Sequence, residues 1–296
     1  MAEKLKGVIP PMITSFDKEG ELYLEGVKNV SGFLADHVQG LFICGTYGGG
    51  PILTVDERKA VCETVLDTVN GRVPVIVHVG TIDTKGAVEL AKNAEKNGAA
   101  AIGSLPPFYF PHGEDNVKGY FEALVDAVDI PVYLYNNPKT VGYPISPEFL
   151  ARLKEEIGIK GVKDSSFDIM VYADYKRLCG EDFDVVLGTG AMFLPSLPLG
   201  GQAFIPGIGN VLPELMVRFW KACMNGDMEN AYQDHLTISA LRGAFKKGGS
   251  NLVTVQEMLK VRGIDAGYPR LPFKPLSPAK RDEVVNAIES LGVKLT

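Results

Sequence analysis

The chain has 296 residues, 46% hydrophobic and 22% charged, a globular balance that supplies a large core and contains no apolar run near the ~18 residues of a membrane span. A net charge of −6 with no Lys/Arg-rich block argues against nucleic acid as a partner and favours a small molecule. Four cysteines and four histidines are scattered without paired or ligand-like spacing, so the cysteines are expected as reduced packing residues, no metal is implied, and a start lacking an apolar leader points to the cytoplasm.

Short apolar runs rich in β-branched residues alternate with longer amphipathic stretches, the signature of repeated βαβ units on a parallel sheet. Expected strands are Gly7 to Thr14, Gly40 to Gly45, Val73 to Gly80, Ala99 to Pro106, Val132 to Pro138, Gly158 to Ser165, Phe183 to Gly188 and Gln202 to Gly207. Helical spacing fills the gaps, as at Leu22 to Asp36, Val55 to Asn70, Lys85 to Asn97 and Asp115 to Ala127. Eight strands, each followed by a helix, predict a (β/α)8 barrel, with an open doubly wound sheet as the alternative. From Val211 onward the pattern is helical: Pro213 to Met224, Met228 to Lys246, Val253 to Val261 and Pro278 to Leu291. The division expected is a barrel core over 1–210 and, over 211–296, the last barrel helix with a helical extension. That extension reads as poor in chemistry, suited to an oligomer surface or a plug under the barrel.

In such a barrel the site lies where the strands end. The sixth strand, IKGVKDSS, places Lys163 after an apolar run, and the fifth, VYLYNNP, carries Tyr135. A lysine in a water-poor barrel mouth loses solvation of its charged form, so its pKa falls and a neutral amine becomes available to attack a carbonyl. A phenol on the neighbouring strand is placed to move protons. The plainer reading is a lysine that snorkels to solvent or pairs with Asp164, and a half-buried tyrosine. The segment GTYGGGP, Gly45 to Pro51, bunches backbone N–H groups as a carboxylate requires, or is a tight turn. Glycine loops at Gly188-Thr189-Gly190 and Gly207-Ile208-Gly209-Asn210 stand where barrels bind phosphate. They support a rival reading as a phosphosugar isomerase or aldolase with Lys163 as an electrostatic group.

With these motifs assembled, GVIPPMIT, GTYGGGP, SLPPFYFP, YNNP, GVKDSS and GYPRLPF in order along nearly the whole chain, the sequence resembles the pyruvate-dependent class I aldolase family. That family includes dihydrodipicolinate synthase, N-acetylneuraminate lyase and 2-keto-3-deoxygluconate aldolase. The resemblance implies a Schiff base between Lys163 and pyruvate with no separate cofactor, Tyr135 as the central acid/base and Thr46 as its proton relay. It implies that Tyr109 completes the relay from a neighbouring subunit in a homotetramer built from dimers. It further implies that Gly45, Thr46, Tyr47 and Gly48 hold the carboxylate, and that Gly188 and the Ile205 carbonyl face the substrate. Departures bear on the second substrate, a small aldehyde. Thr140 stands where dihydrodipicolinate synthases have an arginine, with Lys139 beside it. Thr189, Gly190 and Ala191 stand where neuraminate lyases have acids, and Tyr47 and Gly49 are unusual. The resemblance therefore favours a 2-keto-3-deoxy sugar acid aldolase over a dihydrodipicolinate synthase-type condensation. A barrel that binds a 2-oxo acid without turning it over is the reading from outside enzymology.

Overall fold

The computed structural model describes residues 4–295; residues 1–3 and 296, the outermost residues of the expected two-part division, lie outside them. Eight strands run parallel: β1 (Gly7–Val8), β2 (Leu41–Ile43), β3 (Val75–His78), β4 (Ala101–Ser104), β5 (Val132–Asn136), β6 (Gly161–Asp164), β7 (Asp184–Leu187) and β8 (Ala203–Phe204). Their order around the sheet is β1-β8-β7-β6-β5-β4-β3-β2. The ring closes just after β1, where the Met12 N–H donates to the Phe42 carbonyl at 2.9 Å and the Phe42 N–H to the Pro10 carbonyl at 3.0 Å. Closure excludes the open sheet and makes the fold a (β/α)8 barrel. Strands β1 and β8 are shorter than expected because Pro10, Pro11 and Pro206 have no N–H to give to a ladder.

The helices are α1 (Leu24–Ala35), α2 (Val55–Val69), α3 (Thr84–Lys96), α4 (Glu114–Val125), α5 (Pro138–Val141), α6 (Pro147–Ile157), α7 (Ile169–Cys179), α8 (Phe193–Ser196), α9 (Pro213–Met224), α10 (Met228–Lys246), α11 (Asn251–Val261) and α12 (Pro278–Glu289). Their starts carry the expected chemistry. Thr54 and Glu57 form a reciprocal capping box on α2, and Asp83, Ser146, Asp168 and Ser277 each accept a hydrogen bond from the first turn of their helices. The fifth strand stops at Asn136 rather than Pro138, since Pro138 takes the first position of α5.

Side chains alternate across each strand, which splits the core in two. Leu41, Ile43, Val75, Val77, Val132, Leu134, Val162, Val185 and Leu187 face the helices. Phe42, Ile76, Ala101, Tyr133, Tyr135, Val186 and Ile205 fill the barrel interior. All four cysteines, Cys44, Cys62, Cys179 and Cys223, are buried and unpaired, as packing residues should be. The helical extension departs from expectation. It lies over the C-terminal ends of the strands, where Arg242, Phe245 and Lys246 of α10 and Asn251 of α11 wall the central cavity.

Candidate active site

Alternation and register together place the key pair. On β6 Val162 faces the helices, so Lys163 must face inward, and it is the register partner of Tyr135 on β5. Gly161 is inward too; a Cβ there would come 2.4 Å from the Tyr133 ring, which occupies that space. Lys163 is 5% exposed, its Nζ 3.8 Å from the ring centroid of Tyr135 and 4.0 Å from that of Phe42. Asp164 lies on the opposite face, where its carboxylate accepts from Asn136 Nδ2 at 2.7 Å and from Ser166 Oγ at 2.6 Å. Neither part of the plainer reading of Lys163 survives: it does not reach solvent, and among the described residues it has no carboxylate partner.

The electrostatics follow from that burial. Desolvation lowers the Lys163 amine from its ordinary value, against the opposing charge and hydrogen bond of Tyr135. Burial pushes the Tyr135 phenol up, but the Lys163 charge and hydrogen bonds involving Thr46, Ser165 and Lys163 outweigh it, so the phenol lies below its ordinary value. Asn137 Nδ2 donates to the same oxygen at 3.1 Å. The pair can thus supply an uncharged amine beside a phenol that exchanges protons readily. His78, whose ring stands 6.1 Å from that of Tyr135, is held well below its ordinary value by burial, Arg58 and Lys163; it adds no charge to the interior near neutral pH.

Above the pair opens a cavity of about 430 Å³ at the C-terminal barrel mouth. Of the residues expected from the sequence, Thr46, Tyr47, Tyr135 and Gly188 line it. Lys163 does not itself line it; its Nζ packs against the ring of Tyr135, which does. Ile205, 2% exposed, belongs to the interior cluster beneath. Gly45 and Gly48 shape the loop from within, each packed so tightly that a Cβ would come 2.5 Å from the Phe42 ring or 3.0 Å from the Cys44 nitrogen. The N–H groups of Thr46 and Tyr47 have no acceptor among the described residues, which leaves them to a ligand. The bulk of Tyr47 is accommodated by Gly207, where a Cβ would lie 2.2 Å from the phenol oxygen; burial raises that phenol to about 12.

The chain does not bring Tyr109 into its own cavity. It is 83% exposed on the loop after β4 with φ +80°, its ring edge-on to Phe110. In the glycine loops of the phosphate-binding reading, the Gly188 N–H donates to the Asp164 carbonyl at 2.6 Å and the Gly209 N–H to the Pro206 carbonyl at 3.0 Å. Sequence reading missed Ser165, Asn137, Phe167, Arg242 and Asn251, all of which line the cavity. Ser165 was within reach, since the alternation that turns Lys163 inward turns Ser165 inward as well.

Residues 4–291 match the Dihydrodipicolinate synthetase family. A 4-hydroxy-tetrahydrodipicolinate synthase of Methanopyrus kandleri is 35% identical, over 99% of this chain and 98% of that protein. The chain belongs to the dihydrodipicolinate synthetase family. Among solved structures, YagE, a prophage protein of that family from Escherichia coli K12 in complex with pyruvate, superposes with a TM-score of 0.93 at 27% identity, covering 98% of this chain and 99% of that one. CdNal from Clostridium difficile, in complex with mannosamine, gives 0.92 at 26% identity over 98% and 100%. The class expected from the sequence, a carbon–carbon lyase of the pyruvate-dependent class I aldolases, stands. Among the described residues no three His, Cys, Asp or Glu side chains gather as metal ligands, and no helix is long and apolar enough to cross a membrane.

Proposed function

We propose that this family member joins pyruvate to an aldehyde, or parts them, through a Schiff base on Lys163. The observation that carries the reading is a buried lysine with no carboxylate partner among the described residues, its Nζ against Tyr135. The neutral Nζ attacks C2 of pyruvate, and the hydroxyl of the resulting carbinolamine takes a proton from Tyr135 and leaves as water to give an iminium and a Tyr135 phenolate, while the unpartnered N–H groups of Thr46 and Tyr47 hold the carboxylate. The Tyr135 phenolate takes a proton from C3, and the electrons of that C–H bond flow into the iminium to form an enamine. C3 then attacks the aldehyde carbon, and the developing alkoxide takes the proton back from Tyr135, with Thr46 passing protons between the phenol and bulk solvent. Water adds to C2, the C2–N bond breaks, and a 4-hydroxy-2-oxo acid leaves with Lys163 restored. The same steps in reverse cleave such an acid.

The favoured substrate is a 2-keto-3-deoxy sugar acid. The relatives named 4-hydroxy-tetrahydrodipicolinate synthase support condensation as the second reading. The exposure of Tyr109 supports its delivery to a neighbouring subunit in a cytoplasmic homotetramer of paired dimers. We read residues 1–210 as the barrel core and 211–296 as the last barrel helix with its extension. Proton exchange tests the enamine without choosing an aldehyde: in deuterium oxide the wild type should exchange the methyl protons of pyruvate and Lys163→Ala should not. Equal exchange by both would end the proposal.

A further inference from the structure

A buried polar cluster beside the substrate loops takes no part in the proposed chemistry. His78 ends β3, Arg58 stands in α2, and both side chains are buried. The Arg58 guanidinium grips the end of β3, with Nη2 donating to the His78 carbonyl at 2.5 Å and Nη1 to the Gly80 carbonyl at 2.9 Å. Among the described residues it has no carboxylate beside it, and its Nε has no partner at all. A buried guanidinium without a counter-charge is a costly placement, and a clamp on two carbonyls does not by itself call for a charge. That charge bears on the ring next to it: Nη2 lies 3.4 Å from His78 Nδ1, and burial together with Arg58 keeps the imidazole well below its ordinary pKa.

In the neutral ring the one hydrogen can be placed. Nε2 accepts the Leu105 N–H at 3.1 Å, so the hydrogen is on Nδ1, and the Cys44 backbone accepts from it. One imidazole thus ties the residue after β2 to the residue after β4, across β3. Cys44 is where a tie is needed. It has φ +57°, a state that non-glycine residues rarely adopt and that persists only where the surroundings enforce it. Its carbonyl is packed so closely on Gly50 that a Cβ there would lie 2.1 Å from the oxygen. The next residues, 45–48, form the loop whose Thr46 and Tyr47 N–H groups have no acceptor among the described residues.

We infer that His78, with Arg58 fixing its ring, is a positioning residue: it holds Cys44 in the left-handed conformation and so aims the N–H groups of loop 45–48 at the carboxylate of the 2-oxo acid. This rests on the Schiff-base reading of the site. His78 touches neither substrate nor the reacting atoms, so its effect falls on how tightly pyruvate is held and much less on the chemistry at Lys163.

The test follows borohydride-trapped adduct on the full chain over a series of pyruvate concentrations, which requires no choice of aldehyde. His78→Leu should raise the pyruvate concentration for half-maximal trapping about tenfold while the limiting rate changes less than about threefold, the pattern of lost binding without lost chemistry. His78→Asn, whose amide nitrogen takes the place of Nδ1, should keep part of the affinity. Cys44→Gly added to His78→Leu should bring the half-maximal concentration back to within about threefold of Cys44→Gly alone, because glycine adopts a positive φ without strain. A merely structural role for His78 would not be rescued by a second substitution that itself removes packing. The half-maximal concentration does not depend on how much of the protein is folded; should His78→Leu not fold at all, His78→Gln, whose amide is displaced from the Nδ1 position, should show the same rise. An unchanged half-maximal concentration, or a rise that Cys44→Gly leaves in place, would overturn the inference and leave the Schiff base intact. Absence of any adduct on the wild type would overturn the Schiff-base reading and this inference with it.

Discussion

Replacing Tyr135 with phenylalanine removes a single oxygen and leaves a ring that packs against Phe42 at 5.9 Å between centroids and beside Lys163. That oxygen accepts from Asn137 at 3.1 Å and engages Thr46, Ser165 and Lys163. Thr46 is exposed and Ser165 and Asn137 are half-buried, so these three can turn to water when the phenol is gone. The stability loss should then stay near one net hydrogen bond, about 0.5–1.5 kcal/mol. The chemical loss should be larger, because a positioned acid/base group contributes ~10²–10⁴-fold, or about 3–5 kcal/mol of barrier. Urea unfolding gives the first quantity and steady-state kcat for aldol cleavage or condensation the second. Turnover within tenfold of wild type, or an activity loss no larger than the stability loss, would refute the assignment of Tyr135 as the central proton carrier.

Two further outcomes follow from the electrostatics. Because burial lowers the Lys163 pKa, the rate of adduct formation with pyruvate should rise with pH as the amine deprotonates and level off before pH ~10.4, the ordinary lysine value; a rate still climbing at that pH would contradict the burial argument. Arg270, in the GYPR turn, clamps Glu57 of α2, with Nη1 on Oε2 at 2.9 Å, and donates from Nε to the Gly20 carbonyl at 2.6 Å. The hydrogen bond from Arg270 depresses the Glu57 carboxyl, so the stabilisation is complete above the unfolded carboxyl pKa and is lost as pH falls through the folded one. Arg270→Gln should cost about 1–3 kcal/mol at pH 7, and thermal melts of wild type and variant should converge below pH ~4.3; a constant gap would show that the ion pair is not its source.

The barrel was legible because its signal is local. Eight β-branched runs separated by helical spacing carry their own period, and Lys163 stands out as a charge within one of them. Alternation then fixes its direction, since Val162 must face the helices and Lys163 cannot. What the sequence does not carry is register and long-range closure. Nothing in VYLYNNP states that Tyr135 pairs with Lys163 rather than with Gly161; the ladder decides that. The proline-rich stretch Ile9 to Met12 reads as strand yet closes the barrel through only two hydrogen bonds to Phe42, because its prolines cannot donate. Arg242 was invisible for a different reason. It sits on an ordinary amphipathic helix, and only the path of α10 across the barrel mouth turns that helix face into a cavity wall. The role proposed for Tyr109 would require a second subunit, which one chain's pattern cannot supply.

The central claim is covalent, so the most direct measurement is the intact mass of wild type and Lys163→Ala after incubation with pyruvate and borohydride, followed by peptide mapping. The account predicts one reduced pyruvate adduct per wild-type chain, mapped to Lys163, and none on the variant. An unmodified wild type, or an adduct on any other lysine, would contradict it.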